Sequence, residues 1–244
     1  MSELWINHLS IEVWQEPGCW TDYFDQVQGI LGSPLTHLDV NDPVKRKVAS
    51  LKDAGDYVCA FKPREDSRWV FGKFDAIGIE LSIQHYRQLG HWPNSLMWHV
   101  PLSFIEKPEN CTRLKALFDL GNLTFKPFYA FSDDVSHIKS KKKSSGAVDI
   151  QAELLGVFWM TYFNAAYVAF FGEEKFNDFP KVEYGDDGGV TVLLGDSPKS
   201  VSSELREQLV TALGKQSFVN PNEILGKLPG RFALTFQQLL VSKK

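Results

Sequence analysis

The segment Gly156–Gly172, GVFWMTYFNAAYVAFFG, constrains the fold more than any other part of the chain. It is the longest apolar stretch. It is also too short for a membrane span, is interrupted by Thr161 and Asn164, and is followed directly by Glu173 and Glu174. About 20 unbroken apolar residues are needed to cross a bilayer as a helix. The segment must therefore be buried inside the protein, and the fold has to supply an interior around it. Val157 to Phe163 reads as an apolar strand. Beyond it two readings stay open: Tyr167–Phe171 as a second strand, or a helix capped by Asn164 with Tyr167, Phe170 and Phe171 at helical spacing.

The remainder of the chain can supply that interior. Its 244 residues are 43% hydrophobic and 23% charged, with 18 Phe and 7 Trp. The formal net charge of −4 argues against a nucleic-acid binder, which needs a basic face to displace counterions from phosphate. Three well-separated cysteines, Cys19, Cys59 and Cys111, suit reduced thiols better than a disulfide frame or a metal knuckle. Residues Met1–Val13 carry an early Glu and no unbroken apolar run, unlike a secretory leader. A cytoplasmic protein with no membrane partner is expected.

Periodicity predicts an α+β fold with mixed or antiparallel sheets and flanking helices. A strand opens the chain at Leu4–Trp14. Trp20, Phe24, Val27 and Leu31 mark a helix stopped by Gly32-Ser33-Pro34. Asp42-Pro43 reads as a helix start, with an end near Gly55. Strands follow at Tyr57–Phe61 and Arg68–Phe74. Ile77, Ile79, Leu81 and Ile83 alternate with polar residues, the clearest period-two signal in the chain. Leu96–Leu102 is a further strand, and Leu114, Leu117 and Phe118 form a helix face closed by Gly121. The run SDDVSHIKSKKKSS from Ser132 to Ser145 has no period. It divides the chain into an N-terminal α+β half (1–131), a polar linker or loop (132–147) and a C-terminal α+β half (148–244), unless the whole is one continuous domain. In the second half a strand at Val190–Leu194 precedes a helix from Val201 to Leu213. A short capped helix is expected near Asn220-Pro221 with Glu223, and a last strand at Phe232, Leu234 and Phe236.

The halves share an order of strand, apolar element, strand and helix at a separation of ~90 residues. This fits either an ancient duplication or the common recurrence of such units in α+β proteins.

Catalytic chemistry finds little support. Gly185-Asp186-Asp187-Gly188-Gly189 is glycine-rich, but its acids would repel phosphate, and it reads as a hairpin loop. His85, His91 and His99 lie near one another in sequence without converging, and Asp133, Asp134 and His137 fall in the polar run, so no metal is expected. There is no G-x-S-x-G elbow and no cysteine in a catalytic context. Glu173-Glu174-Lys175, with Asp149 upstream, matches the loose E-x-K pattern of metal-dependent nucleases. That site needs its acid and lysine on the edge of a core strand, and here they follow Gly172 in a polar turn. The expectation is a protein without catalytic residues or cofactors.

Charge segregation is the stronger signal. Residues 173–196 contain seven acids against Lys175 and Lys181, a local −5. Lys139, Lys141, Lys142 and Lys143 form a basic run. An acidic patch with interleaved aromatics suits a basic protein partner, because charge steers encounter and aromatic residues supply binding energy. The same run also fits a solvated loop. The candidate partner-binding residues are Glu173, Glu174, Asp178, Glu183, Asp186 and Asp187, with Phe176, Phe179 and Tyr184.

The run Gly156-Val157-Phe158-Trp159, Tyr162-Phe163-Asn164, Tyr167-Val168 and Phe171-Gly172 resembles the central motif of polymorphic-toxin immunity proteins, most closely immunity protein family 52. Trp69–Phe74 and the Glu204–Gly214 helix leading to Phe218 fit the same order, so the resemblance covers about 60–220. It implies an α+β protein without catalytic residues that neutralises a cognate toxin. The toxin would be a restriction-endonuclease-like nuclease, often delivered by a type VI secretion system. No defined site residues carry over from the family. The basic run at 139–143 is a departure, since an inhibitor of a DNA-binding face has no use for it. A metal-dependent nuclease using Glu173 and Lys175, or an adaptor of a secretion locus, are the alternatives.

Overall fold

A computed structural model describes residues 3–88, 92–141, 148–221 and 233–241. Among them are nine strands and seven α-helices, and every strand pair with a defined register is antiparallel. The fold is α+β. No helix among the described residues is long and apolar enough to cross a membrane. The chain divides into two compact units, one spanning Glu3–Ala130 and the other beginning at Phe131.

The first unit is a sheet with helices on one face. Its strands are β1 (Glu3–Ser10), β2 (His37–Asp39), β3 (Ser67–Phe74), β4 (Ile79–Tyr86) and β5 (Asn94–Pro101), in the spatial order β2-β3-β4-β5-β1. Alternation decides which side chains go in: Leu4 and Ile6, Val70 and Phe74, Leu81 and Ile83, and Leu96 and Trp98 are all buried. Three helices cover them. α1 (Pro17–Leu31) starts with Pro in its first turn and ends at Gly32 in the left-handed region, where the Gly32 N–H closes on the Gln28 carbonyl at 2.8 Å. α2 (Leu51–Cys59) is capped by Ser50, whose Oγ accepts the Asp53 amide at 3.1 Å. α3 (Pro108–Phe125) packs on β1. Trp14, Trp20, Tyr23 and Phe125 form an aromatic knot with ring separations from 4.7 to 6.0 Å. Trp98 extends the knot into the sheet by donating its indole N–H to the Tyr23 hydroxyl. Burying each such ring is worth roughly 2–3 kcal/mol.

The second unit contains β6 (Tyr129–Asp134, which crosses the boundary), β7 (Met160–Phe163), β8 (Lys181–Tyr184) and β9 (Val190–Leu193), in the order β6-β7-β9-β8. Its helices are α4 (Val135–Ser140), α5 (Ala165–Phe171), α6 (Ser203–Leu213) and α7 (Phe236–Val241). All four residues of β7 are buried, as the apolar segment required. Asn164 resolves the open choice at Tyr167–Phe171 in favour of a helix, its side chain accepting the Tyr167 amide at 3.1 Å. One buried ion pair ties the unit together. Arg206 on α6 is bonded to the Asp133 carboxylate on β6, which also accepts the backbone amides of Trp159 at 3.0 Å and Asp134 at 2.8 Å. Burial pushes the Asp133 carboxyl upward, against the pull of Arg206 and these amides.

Several expectations are corrected. Asp42-Pro43 does not start a helix. The Asp39 carboxylate captures the amides of Asn41, Lys45 and Arg46, which closes a loop there and leaves Ser50 as the cap. Tyr57–Cys59 therefore ends α2 and does not form a strand. Gly121 does not stop α3, which runs on to Phe125. Its missing side chain admits the His8 ring, which a Cβ at that position would strike. Of the polar run, residues 132–134 complete β6 and 135–140 form α4, capped by Asp134; the expected loop is structured there because Asp133 is neutralised from α6. Residues 142–147, with Lys142 and Lys143, lie outside the described residues, as do Glu223 and Phe232. Phe236 begins α7, not a strand. β7 starts only at Met160, since the amides of Phe158 and Trp159 are taken by the Thr161 and Asp133 side chains. The two halves part company as well. β3 is followed by its hairpin partner β4, whereas β7 is followed by α5 and pairs with β9.

Candidate functional site

The acidic segment begins where α5 ends. Gly172, at φ 94, turns the chain into a 3-10 turn spanning Glu173–Asp178, and β8 and β9 then form a hairpin. As expected, 185–189 is its loop: the Gly185 N–H bonds to the Gly189 carbonyl at 2.9 Å, and Gly188 takes φ 75. The loop is braced from below. The Tyr162 hydroxyl donates to the Asp187 carboxylate at 2.7 Å, and the other oxygen of Asp187 accepts the Gly189 amide at 2.9 Å. A Cβ at Gly189 would run into the hydroxyl end of the Tyr162 ring, leaving no room for a side chain. Burial, then the Asp187 charge, drive the Tyr162 phenol far above its usual range.

These contacts separate the expected binding residues into two groups. Glu173, Glu174, Tyr184 and Asp186 are exposed, Tyr184 at 51%, and Glu183 is half-buried beside Lys181 at 3.2 Å. Phe176 and Phe179, at 0% and 6% exposure, are core residues that stack on one another at 5.5 Å. They cannot serve as surface anchors. Their spacing on a short 3-10 turn turns them inward, onto Phe163 among others. Asp187 is exposed but committed to Tyr162 and Gly189. The Asp178 side chain lies outside the described part of the structure. An exposed aromatic missed by sequence reading is Phe170, at 43% exposure on α5.

Among the described residues, neither histidine group converges. His85 faces inward at the register position opposite Arg68, whereas His99 faces outward beside Trp5, and His91 lies outside the described residues. Asp133 belongs to the ion pair with Arg206 and Asp134 to the cap of α4. Among the described residues no three His, Cys, Asp or Glu side chains are grouped to hold a metal ion. Glu173 and Lys175 sit on the 3-10 turn and on no strand, so the E-x-K geometry is not formed.

A second surface comes from the first unit. The side chains that alternate with its core point outward: Trp5 from β1, Trp69 and Phe71 from β3, Tyr86 from β4, and Met97 and His99 from β5. Trp69 is 43% exposed. Apolar residues on both sides of β3 were visible in the sequence, but the water-facing side could not be chosen until the helices were placed.

No family model matches the chain, and neither does any curated protein. Among solved structures, the Pseudomonas aeruginosa T6SS protein PA0821 matches with a TM-score of 0.61 over 98% of this chain and 83% of its own, at 13% identity. At that identity the likeness is one of fold: this chain shares its architecture with a protein of a type VI secretion system.

Proposed function

We propose that this protein is an immunity protein, which binds and neutralises a cognate effector of a type VI secretion system in the cytoplasm of the producing cell. The observation that carries the reading is the fold shared along nearly the whole chain with a T6SS protein. The resemblance of Gly156–Gly172 to immunity proteins supports it, and so does the exposed acidic hairpin. The effector would be a restriction-endonuclease-like nuclease. Nuclease surfaces that meet DNA are basic, and an acidic inhibitor can occupy them, with long-range charge raising the rate of encounter.

The test is co-expression with the effector encoded beside the gene. Growth should be restored, the two chains should co-purify, and DNA cleavage by the effector should stop at equimolar inhibitor. Continued growth arrest with both proteins soluble, or inhibition without a complex, would sink the proposal.

A further inference from the structure

The outward face of the first unit's sheet is not one that water selects. When one face of an antiparallel sheet meets solvent, its outward positions are ordinarily polar. Here Trp5, Trp69, Phe71, Tyr86 and Met97 stand among the polar positions, Trp69 exposed at 43% and the other four half-buried. Trp69 and Phe71 stack at 6.1 Å with their planes 12° apart, so β3 presents a broad aromatic surface.

The polar groups between these rings are already ordered. Lys73 pairs with Glu80 at 2.9 Å, Gln84 donates to the Tyr86 hydroxyl at 2.6 Å, and Ser95 donates to Asn7 at 2.9 Å. The Trp5 indole N–H donates to Glu3 at 3.2 Å. Strand-borne side chains held in this way lose little freedom on binding, which favours affinity.

Charge identifies the occupant. The outward positions of β1 to β5 carry Glu3, Asp39 and Glu80 against a single ammonium, Lys73; Glu80 and Lys73 neutralise one another and Asp39 holds three loop amides, so the face keeps a formal excess of negative charge at Glu3 and Asp39. Aromatic faces and carboxylates both attract guanidinium and ammonium groups. We propose that this face is the docking surface for the effector, and that the effector meets it with arginine or lysine side chains seated over Trp69 and Phe71. This rests on the immunity reading and identifies the surface through which it acts. Trp69 anchors the partner, and the acidic hairpin of the second unit contributes steering only.

The experiment is a titration of the purified inhibitor against the purified nuclease-like domain of the neighbouring effector, at two salt concentrations. Trp69→Thr should weaken binding at least tenfold, and Glu80→Lys should do the same with a reduced salt dependence. The acidic-segment variant Glu173→Lys/Asp186→Lys, one change on the 3-10 turn and one in the hairpin loop, should weaken it less than threefold. Circular dichroism should keep the wild-type spectrum and a cooperative melt in all three, because none of the substituted side chains belongs to the core. If the wild type binds and both sheet variants bind equally well, the docking surface is overturned and immunity stands. If the acidic-segment variant alone loses binding, the surface lies in the second unit. If the wild type does not bind, the immunity reading and the docking surface fall together.

Discussion

The two candidate surfaces are built on opposite principles. The acidic segment of the second unit, the 3-10 turn and the hairpin after it, shows its charges and buries its rings: Glu173, Glu174 and Asp186 are exposed while Phe176 and Phe179 are core. The outward sheet face of the first unit shows its rings and pairs its charges. Acidic residues in a surface turn need no partner to explain them, since water solvates them at no penalty. Tryptophan on the solvent side of a strand costs hydrophobic free energy in the unbound protein, roughly 25 cal/mol for each Å² left in water. The expensive arrangement is therefore the more informative one, and it is the one that composition and charge counting overlook.

The comparison can be broken or sharpened by substitutions in both regions. The largest effect is expected at Arg206→Ala. It strands the buried Asp133 carboxylate and should destabilise the second unit by about 3–5 kcal/mol, measured by urea unfolding. A loss below ~1 kcal/mol would mean that the frame beneath the hairpin does not depend on the pair. In the first unit, Gly121→Leu drives a side chain into His8 and should lower stability by about 2–4 kcal/mol, seen as a lower urea midpoint. Acid should act next. Burial holds His8, His85 and His137 down to about 4, whereas the unfolded chain takes up those protons near 6.5. The unfolded state thus binds more protons between these values, so the histidines' contribution should lower stability as pH drops from about 6.5 to about 4. A flat melting temperature across that window would contradict the burial of these rings. Tyr162→Phe should cost about 1 kcal/mol and speed hydrogen exchange at Gly189 without moving the sheet face, which makes it the cleanest test of whether hairpin order matters to binding. Smallest of all, Asp186→Lys should leave the melting temperature unchanged and alter only the salt dependence of association.

Much of the framework was legible because it is local. The alternation of Ile79, Leu81 and Ile83, the stop at Gly32 and the hairpin at 185–189 each depend on residues within a few positions of one another. The errors came where a distant group decides the outcome. Ser132–Ser140 looked like a loop because nothing near it in sequence reveals that Arg206 neutralises Asp133. Gly121 looked like a helix stop because its reason, His8, lies at the other end of the unit. Asp42-Pro43 is a different case, a local competition in which Asp39 takes the amides of Asn41, Lys45 and Arg46 and closes a loop where the pattern alone suggests a helix start. The proposed docking face was least legible. The charged run drew attention to the second unit, and nothing local tells which side of β3 a helix will cover.

The pairing of β1 with β5 also sets a kinetic requirement. Ser95 and Asn7 are neighbours in the sheet yet 88 positions apart in the chain. The first strand finds its partner only after a long loop closes, an entropic cost that local helices and hairpins do not share. α2, α3 and the β3–β4 hairpin can form from nearby residues, so β1 should be set in place after them, together with the packing of His8 against α3. Closure of the sheet around its N-terminal strand should thus govern the folding rate of the first unit, as expected where contacts are far apart in sequence.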